Sequence, residues 1–266
     1  MSDATSSTAP AGITHKPGSP SWVDAVSPDV DASVRFYTSL FGWEPDIPAP
    51  EAGGYRILSR DGAPVAAVGR MEEGQFPAWS VYFATPDADA TRAKVEEVGG
   101  RVIAPPFDVL KSGRMAVFQD PSGAFFSVWQ AKEFPGFGTA YEPNTFSWAE
   151  LNTRGVDQVT GFYTRVFGWG VKKSEGGQGG PPYTEWQLDG QSLGGAIDLA
   201  DIPDIPAEVP PHWLVYFATN DIDNLANRVV ELGGVVQKAP EAYPGGRFAI
   251  ATEPSGAVFG LMQAAG

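Results

Sequence analysis

Two carboxylates occupy matching places in this chain. Asp24 sits in Trp22-Val23-Asp24-Ala25-Val26, and Glu150 in Trp148-Ala149-Glu150-Leu151-Asn152, 126 positions later. Both segments are short and β-prone and open on a tryptophan. Each acid therefore lies two residues after an indole and shares its face of a strand. A carboxylate in such a place is either a general base with a raised pKa or a hydrogen-bonded strut. Arg56, Arg114 and Arg247 are the candidate partners of a strut.

Residue types exclude several other chemistries. The chain has no cysteine, so thiolate catalysis, disulfides and Cys-ligated zinc are absent. Its two histidines are His15, near the start, and His212, after Pro210-Pro211. Neither stands where it would serve a serine as a base, so a Ser-His-Asp arrangement is not supported. His212 has Ala78 at its place in the first half and reads as a surface or strand-edge residue. Gly176-Gly177-Gln178-Gly179-Gly180 lacks the lysine and the strand-to-helix context of a phosphate loop. It reads as a hairpin loop and a candidate lid. No dinucleotide fingerprint appears.

The elements that position the two acids are written twice. Arg35-Phe36-Tyr37-Thr38-Ser39-Leu40-Phe41-Gly42-Trp43 returns as Gly161-Phe162-Tyr163-Thr164-Arg165-Val166-Phe167-Gly168-Trp169. Phe36, Tyr37, Leu40 and Phe41 make one apolar stripe at helical spacing, and Gly42 and Gly168 stand where a helix ends. Further on, Trp79 maps to Trp213 at an offset of 134, and Pro121-Ser122-Gly123 to Pro254-Ser255-Gly256 at 133. A period this long means two homologous domains rather than a solenoid.

Within each copy, strand, helix and strands occur in one order, then again. Asp87 and Asp221 suit helix starts, and Gly99-Gly100 and Gly233-Gly234 suit helix ends. The predicted fold is α+β: tandem paired βαβββ modules, four in all. The expected division is a disordered tail over 1–18, domains over 19–131 and 144–266, and a linker over 132–143. Phe134, Phe137 and Tyr141 are expected to hold that linker to the surface.

The 266 residues carry a formal net charge of −14, which argues against nucleic acid and anionic membranes as partners. No apolar run is long enough to span a bilayer, and no signal-peptide core opens the chain. A cytoplasmic protein is expected.

The order strand, helix with Phe-Tyr-x-x-x-Phe-Gly-Trp, then Tyr82-Phe83-Ala84-Thr85-x-Asp87-x-Asp89, Gly99-Gly100 and Asp120-Pro121-Ser122-Gly123 resembles the vicinal oxygen chelate superfamily. That group includes glyoxalase I, bleomycin-resistance proteins and extradiol dioxygenases. The resemblance covers about residues 20–131 and 145–264. It implies that the modules of each domain curl into a cup, and that metal-dependent members hold a divalent ion there on His, Gln or Glu. The corresponding places here are Trp22, Ser80 and Ser127, and in the second copy Trp148, Leu214 and Gly260. None offers the oxygen or imidazole donors such an ion needs, so no metal and no cofactor are expected.

If those places face inward, strand alternation brings Asp24, Tyr82, Phe125 and Trp129 into the first cup. It brings Glu150, Asn152, Tyr216, Val258 and Met262 into the second. Ligand-binding candidates are therefore Trp22, Ser80, Tyr82, Ser127, Trp129, Trp148, Asn152, Leu214, Tyr216 and Met262. Catalytic candidates are Asp24 and Glu150. Apolar walls with a few polar groups suit a small aromatic or polyketide-like ligand, bound by sequestration. Three alternatives stand beside this: an enzyme using Asp24 or Glu150 as base, an enzyme with an unrecognised metal site, and cups plugged by Trp22 and Trp148 in a structural role. The chain is expected to be a monomer with pseudo-twofold domains or a homodimer.

Overall fold

The computed structural model describes residues 13–47, 52–175, 180–203 and 205–265. The first copy folds as β1 (Pro20–Ser27), α1 (Val30–Phe41), β2 (Glu44–Pro45), β3 (Arg56–Arg60) and β4 (Ala63–Arg70), followed by β5 (Ala78–Ala84), α2 (Ala88–Glu97), β6 (Arg101–Val109), β7 (Gly113–Gln119) and β8 (Phe125–Ala131). The second copy repeats the order: β9 (Phe146–Thr153), α3 (Val156–Phe167), β10 (Gly170–Ser174), β11 (Tyr183–Leu188) and β12 (Gln191–Asp198), then β13 (His212–Ala218), α4 (Ile222–Glu231), β14 (Val235–Tyr243), β15 (Gly246–Thr252) and β16 (Val258–Ala264). This is the α+β arrangement of four βαβββ modules. Residues 176–179 of the glycine-rich loop lie outside the described residues. Among the described residues no helix is long and apolar enough to cross a membrane.

Local chemistry sets the helix ends. Asp29 accepts from the Ala32 amide at 2.9 Å and Asp87 from the Ala90 amide at 2.9 Å, each capping a helix start. Gly155, with no side chain to offer, leaves the start of α3 to Asp198, which accepts from the Gly155 amide at 2.7 Å. Gly42 (φ 73°) and Gly168 (φ 74°) close α1 and α3 in the left-handed conformation.

Each domain is one eight-stranded sheet, ordered β2-β3-β4-β1-β5-β8-β7-β6 and β10-β11-β12-β9-β13-β16-β15-β14. The two modules meet at the centre, where β1 pairs antiparallel with β5 and β9 with β13. The register places Trp22 opposite Tyr82, Asp24 opposite Ser80, and Tyr82 beside Ser127. The same positions in the second sheet hold Trp148, Tyr216, Glu150, Leu214 and Gly260. Trp22, Ser80 and Ser127 thus fall together in the first sheet, and Trp148, Leu214 and Gly260 in the second.

The apolar helical stripes pack between the domains. Phe41 of α1 lies 5.1 Å from Phe217 of β13, and Phe36 lies 6.2 Å from Phe259 of β16. Reciprocally, Phe162 and Phe167 of α3 approach Phe126 and Phe83 of the first sheet. Each first helix therefore covers the outer face of the other domain's sheet as well as its own. Within the 1–18 segment, residues 13–18 join this packing. The Gly18 carbonyl accepts from the buried Trp169 indole at 2.9 Å, and Lys16 pairs with Asp189 at 2.8 Å. A buried indole N–H needs an acceptor, and this stretch of backbone supplies it.

The interface carries one relay twice, and only one copy is complete. The Trp213 indole donates to the Tyr163 hydroxyl at 3.0 Å, which donates to Asp120 at 2.8 Å. The other oxygen of Asp120 caps its own turn, accepting from the Ser122, Gly123 and Ala124 amides. In the reciprocal copy Trp79 donates to Tyr37 at 2.9 Å, and Glu253 stands where Asp120 stands. Its side chain is one methylene longer, and no described group bonds to either of its oxygens, although the residue is only 2% exposed. Burial pushes the Glu253 carboxyl up to about 7, and the nearby Ser33 hydroxyl offsets this only in part.

The folded chain thus holds a proton on Glu253 between the ordinary carboxyl range and about 7, where the unfolded chain has released it. Stability from this group is complete below the ordinary range and is lost as pH rises through 7. Urea unfolding of Glu253→Gln should match the wild type near pH 4 and exceed it by up to about 3 kcal/mol at pH 8. Parallel pH profiles would refute this reading.

Candidate functional site

Alternation puts the predicted residues of each domain on one surface, and the acids lie at its centre. In the first cup Asp24 accepts from the Tyr82 hydroxyl at 2.8 Å and the Tyr55 hydroxyl at 3.0 Å. The Trp22 indole donates to the same Tyr55 oxygen at 2.9 Å. The second cup repeats this network. Glu150 accepts from Tyr183 at 2.8 Å and Tyr216 at 3.1 Å, and the Trp148 indole donates to Tyr183 at 2.9 Å. Each acid thus accepts from two phenols, one of which also accepts from an indole.

The arginines named as partners are elsewhere. Arg56 pairs with Asp46 and Asp31, Arg114 with Asp89 and Asp108, and Arg247 with Asp223. Phenols replace them because a hydroxyl can satisfy a buried carboxylate without bringing a second charge out of water. Burial pushes the Asp24 carboxyl up to about 6, with the Tyr82, Tyr55 and Ser80 hydroxyls pulling it back. Burial raises Glu150 likewise, against donation from Tyr183, Tyr216 and Asn152. The same burial, and the neighbouring acid, hold the tyrosines well above the ordinary phenol range.

The cups differ in access. Trp22, Asp24, Tyr82, Ser127 and Trp129 are all buried, with Ser80 half-buried. The linker lies against them. The Phe134 ring meets Trp22 edge-on at 4.9 Å, and its carbonyl accepts from the Trp129 indole at 2.8 Å. Phe137 is fully buried 5.6 Å from Trp22, and its amide donates to the Ser21 carbonyl at 2.8 Å. Phe125, on the same face, stays 55% exposed at the outer end of β8. In the second cup Trp148, Glu150, Tyr183, Tyr243, Phe248 and Met262 are all partly exposed, over a floor of buried Leu214, Tyr216 and Asn152.

Glycines make room for the longer acid. Gly195 stands beside Glu150 where Ala67 stands beside Asp24, and Gly260 replaces Ser127. A Cβ on Gly195 would collide with the Tyr183 hydroxyl, and one on Gly260 with the Tyr216 ring. Neither residue has a positive φ, so the constraint is space alone.

Sequence reasoning missed five inner-face residues: Tyr55, Tyr183, Tyr243, His212 and Phe248, the last opposite Met262. Tyr55 immediately precedes β3 and Tyr183 begins β11, and their hydrogen bonds show that they reach the acids. Tyr243, at the end of β14, takes the place of Val109, and burial near Glu150 raises its pKa. His212 reads as a strand-edge residue, yet it pairs directly with Asn152 and shares the face of Leu214 and Tyr216. Alternation along β13 from Tyr216 was the available signal.

Residues 145–261 match the Glyoxalase/Bleomycin resistance protein/Dioxygenase superfamily, and residues 22–129 the Glyoxalase-like domain. The chain is 40% identical over 263 residues to the anthracycline biosynthesis protein DnrV of Streptomyces peucetius, covering 93% of this chain and 94% of that one. It is 38% identical over 258 residues to CFP32 of Mycobacterium bovis, whose name proposes a glyoxylase, covering 94% and 97%. This protein belongs to the glyoxalase/bleomycin resistance/dioxygenase superfamily. Its fold is shared with the Mn(II)-bound glyoxalase of Novosphingobium aromaticivorans (TM-score 0.65, 20% identity, 93% of this chain and 82% of that one). The 2,3-dioxygenase LapB of Pseudomonas sp. KL28 is similar too (0.66, 14%, 94% of each).

The divalent ion of the superfamily's metal-dependent members does not fit the residues here. Among the described residues no group of three or more His, Cys, Asp or Glu side chains is placed to hold an ion. Each cup offers a single carboxylate already accepting from two phenols, and the Trp22 and Trp148 indoles are donors rather than ligands.

Gly260→Ser, which installs the first cup's residue in the second, should cost about 1–3 kcal/mol by forcing Tyr216 aside. Ser127→Gly should cost less, since it takes away a hydroxyl beside Tyr82 but forces nothing aside. Denaturant midpoints of the two variants check this contrast.

Proposed function

We propose that the chain binds a small, flat aromatic molecule in its second cup, without a bound metal ion, and acts by sequestering it. One observation carries the reading. Trp148, Tyr183 and Glu150 are partly exposed above a buried Tyr216, whereas around Asp24 the residues Trp22, Asp24 and Tyr82 are buried, Trp22 lies against the linker phenylalanines, and Tyr55 alone of the four is partly exposed. Half-open aromatic walls over a buried polar floor suit a ring system with a few polar substituents. The name of the Streptomyces peucetius relative points the same way, since anthracyclines are fused-ring aromatic polyketides. The donor sets of both cups support the absence of a metal from the binding step. In the first cup Trp22, Ser80, Tyr82, Ser127 and Trp129 then serve as packing around Asp24.

A second reading is an enzyme with Glu150 as base. Its favouring observation is that burial holds this carboxyl above the ordinary range, toward the pH at which a base works best. The Tyr183 and Tyr216 hydroxyls would then steady its charged form.

Quenching of intrinsic fluorescence by a panel of fused-ring aromatics tests the first reading. Saturable quenching is expected, reduced strongly in Trp148→Phe and little in Trp22→Phe; equal effects of the two variants would sink it. Chromatography of the bound molecule separates the readings. Under sequestration it is recovered unchanged. Under catalysis the wild type converts it, and Glu150→Gln binds it without conversion.

A further inference from the structure

The duplicated fold lets each cup serve as a control for the other. At the end of the central strand pair, the first domain places Val26 opposite Ala78. The second domain places Asn152 opposite His212 at the same register. Two small apolar groups in one cup are thus replaced by an amide and an imidazole in the other. Beyond them, Tyr243 stands in place of Val109. Every one of these exchanges adds a polar group, and all three fall on the inner face of the second cup.

The hydrogen-bond inventory of that cup is lopsided. The Trp148 N–H is spent on Tyr183, and the Tyr183 and Tyr216 hydroxyl protons are spent on Glu150. The Asn152 amide turns to the Glu150 backbone carbonyl at 3.4 Å and helps steady the Glu150 carboxylate. Acceptors remain. A carboxylate has about four lone-pair directions, and the two phenols occupy two of them. His212 adds another. Its Nδ1 lies 2.9 Å from the Pro210 carbonyl oxygen, which can only accept. Nδ1 therefore carries the proton, and Nε2 is left as a bare acceptor. Burial lowers the His212 pKa, which keeps the ring neutral and the lone pair available. His212 lies diagonally across from Glu150, whose direct partner is Leu214. Diagonal same-face neighbours of this kind sit about 7–8 Å apart, a span that a single aromatic ring bridges.

We infer that the second cup selects its ligand as a hydrogen-bond donor: a flat aromatic ring carrying phenolic hydroxyls, one given to Glu150 and one to His212 Nε2. The inference rests on the binding reading above and adds what that reading leaves open, the polar chemistry of the ligand and the residue that reads it. A ring whose oxygens are methylated or present only as carbonyls would bring acceptors to acceptors at Glu150 and His212, and would leave those lone pairs unmatched by the ligand.

Equilibrium dialysis at pH 7 with 2,7-dihydroxynaphthalene and its dimethyl ether tests this on the full chain. The two probes share the naphthalene ring system; the ether cannot donate and carries two added methyl groups. The wild type should bind the diol about tenfold more tightly than the ether. His212→Phe should cut that preference several-fold. His212→Gln, whose amide oxygen can accept, should keep part of the preference, a recovery that a purely structural role for His212 would not produce. Ether binding equal to diol binding, or a preference untouched in His212→Phe, would overturn the inference and leave the binding reading standing. Failure of both probes to bind, together with every fused-ring aromatic in the quenching panel, would overturn the two together.

Discussion

A carboxylate at the centre of a sheet, facing away from solvent, must be given hydrogen-bond donors or it will not stay there. Much of this structure is arranged around that requirement. Asp24 and Glu150 lie on strands flanked by both modules, so one phenol arrives from the second module (Tyr82, Tyr216) and one from an outer strand of the first (Tyr55, Tyr183). The indoles of Trp22 and Trp148 complete the chain of donors. Tyrosine suits the task because it supplies a proton without a second charge. The network gives Trp22 and Trp148 a role: each indole is part of the support for an acid.

The same need recurs between the domains, where it is met once. Asp120 is short enough to cap its own turn and still receive the Tyr163 hydroxyl. Glu253, one methylene longer, does neither, and burial leaves it holding a proton to near neutral pH. In the second cup the same lengthening, from Asp24 to Glu150, is accommodated, because Gly195 and Gly260 withdraw their side chains. A single methylene thus has opposite consequences at the two sites, decided by the space around it.

Much of the fold was legible in the sequence because it is carried by repetition and period. The Phe-Tyr-x-x-x-Phe-Gly-Trp helix ends, the Asp caps and the Gly pairs mark four modules. Two-residue alternation places Trp22, Asp24, Tyr82 and Trp129 on one face. What a single strand cannot reveal is its neighbour. Tyr55 and Tyr183 approach the acids only through the pairing of outer strands, so arginines were the natural partners to name. His212 looked peripheral because it opens its strand, yet register sets it opposite Asn152. The apolar stripes of α1 and α3 mark core residues, but periodicity does not say that the core lies between domains. Nor does composition tell that Phe134 settles on Trp22.

The central claim is that one cup of the pair, the second, takes a flat aromatic ligand without help from a metal. Isothermal calorimetry with a hydroxylated fused-ring aromatic, in the presence and absence of a chelator, tests it most directly. One molecule bound per chain, with the same affinity in both conditions, is the predicted result. Two molecules per chain, binding that the chelator abolishes, or no binding at all would contradict it.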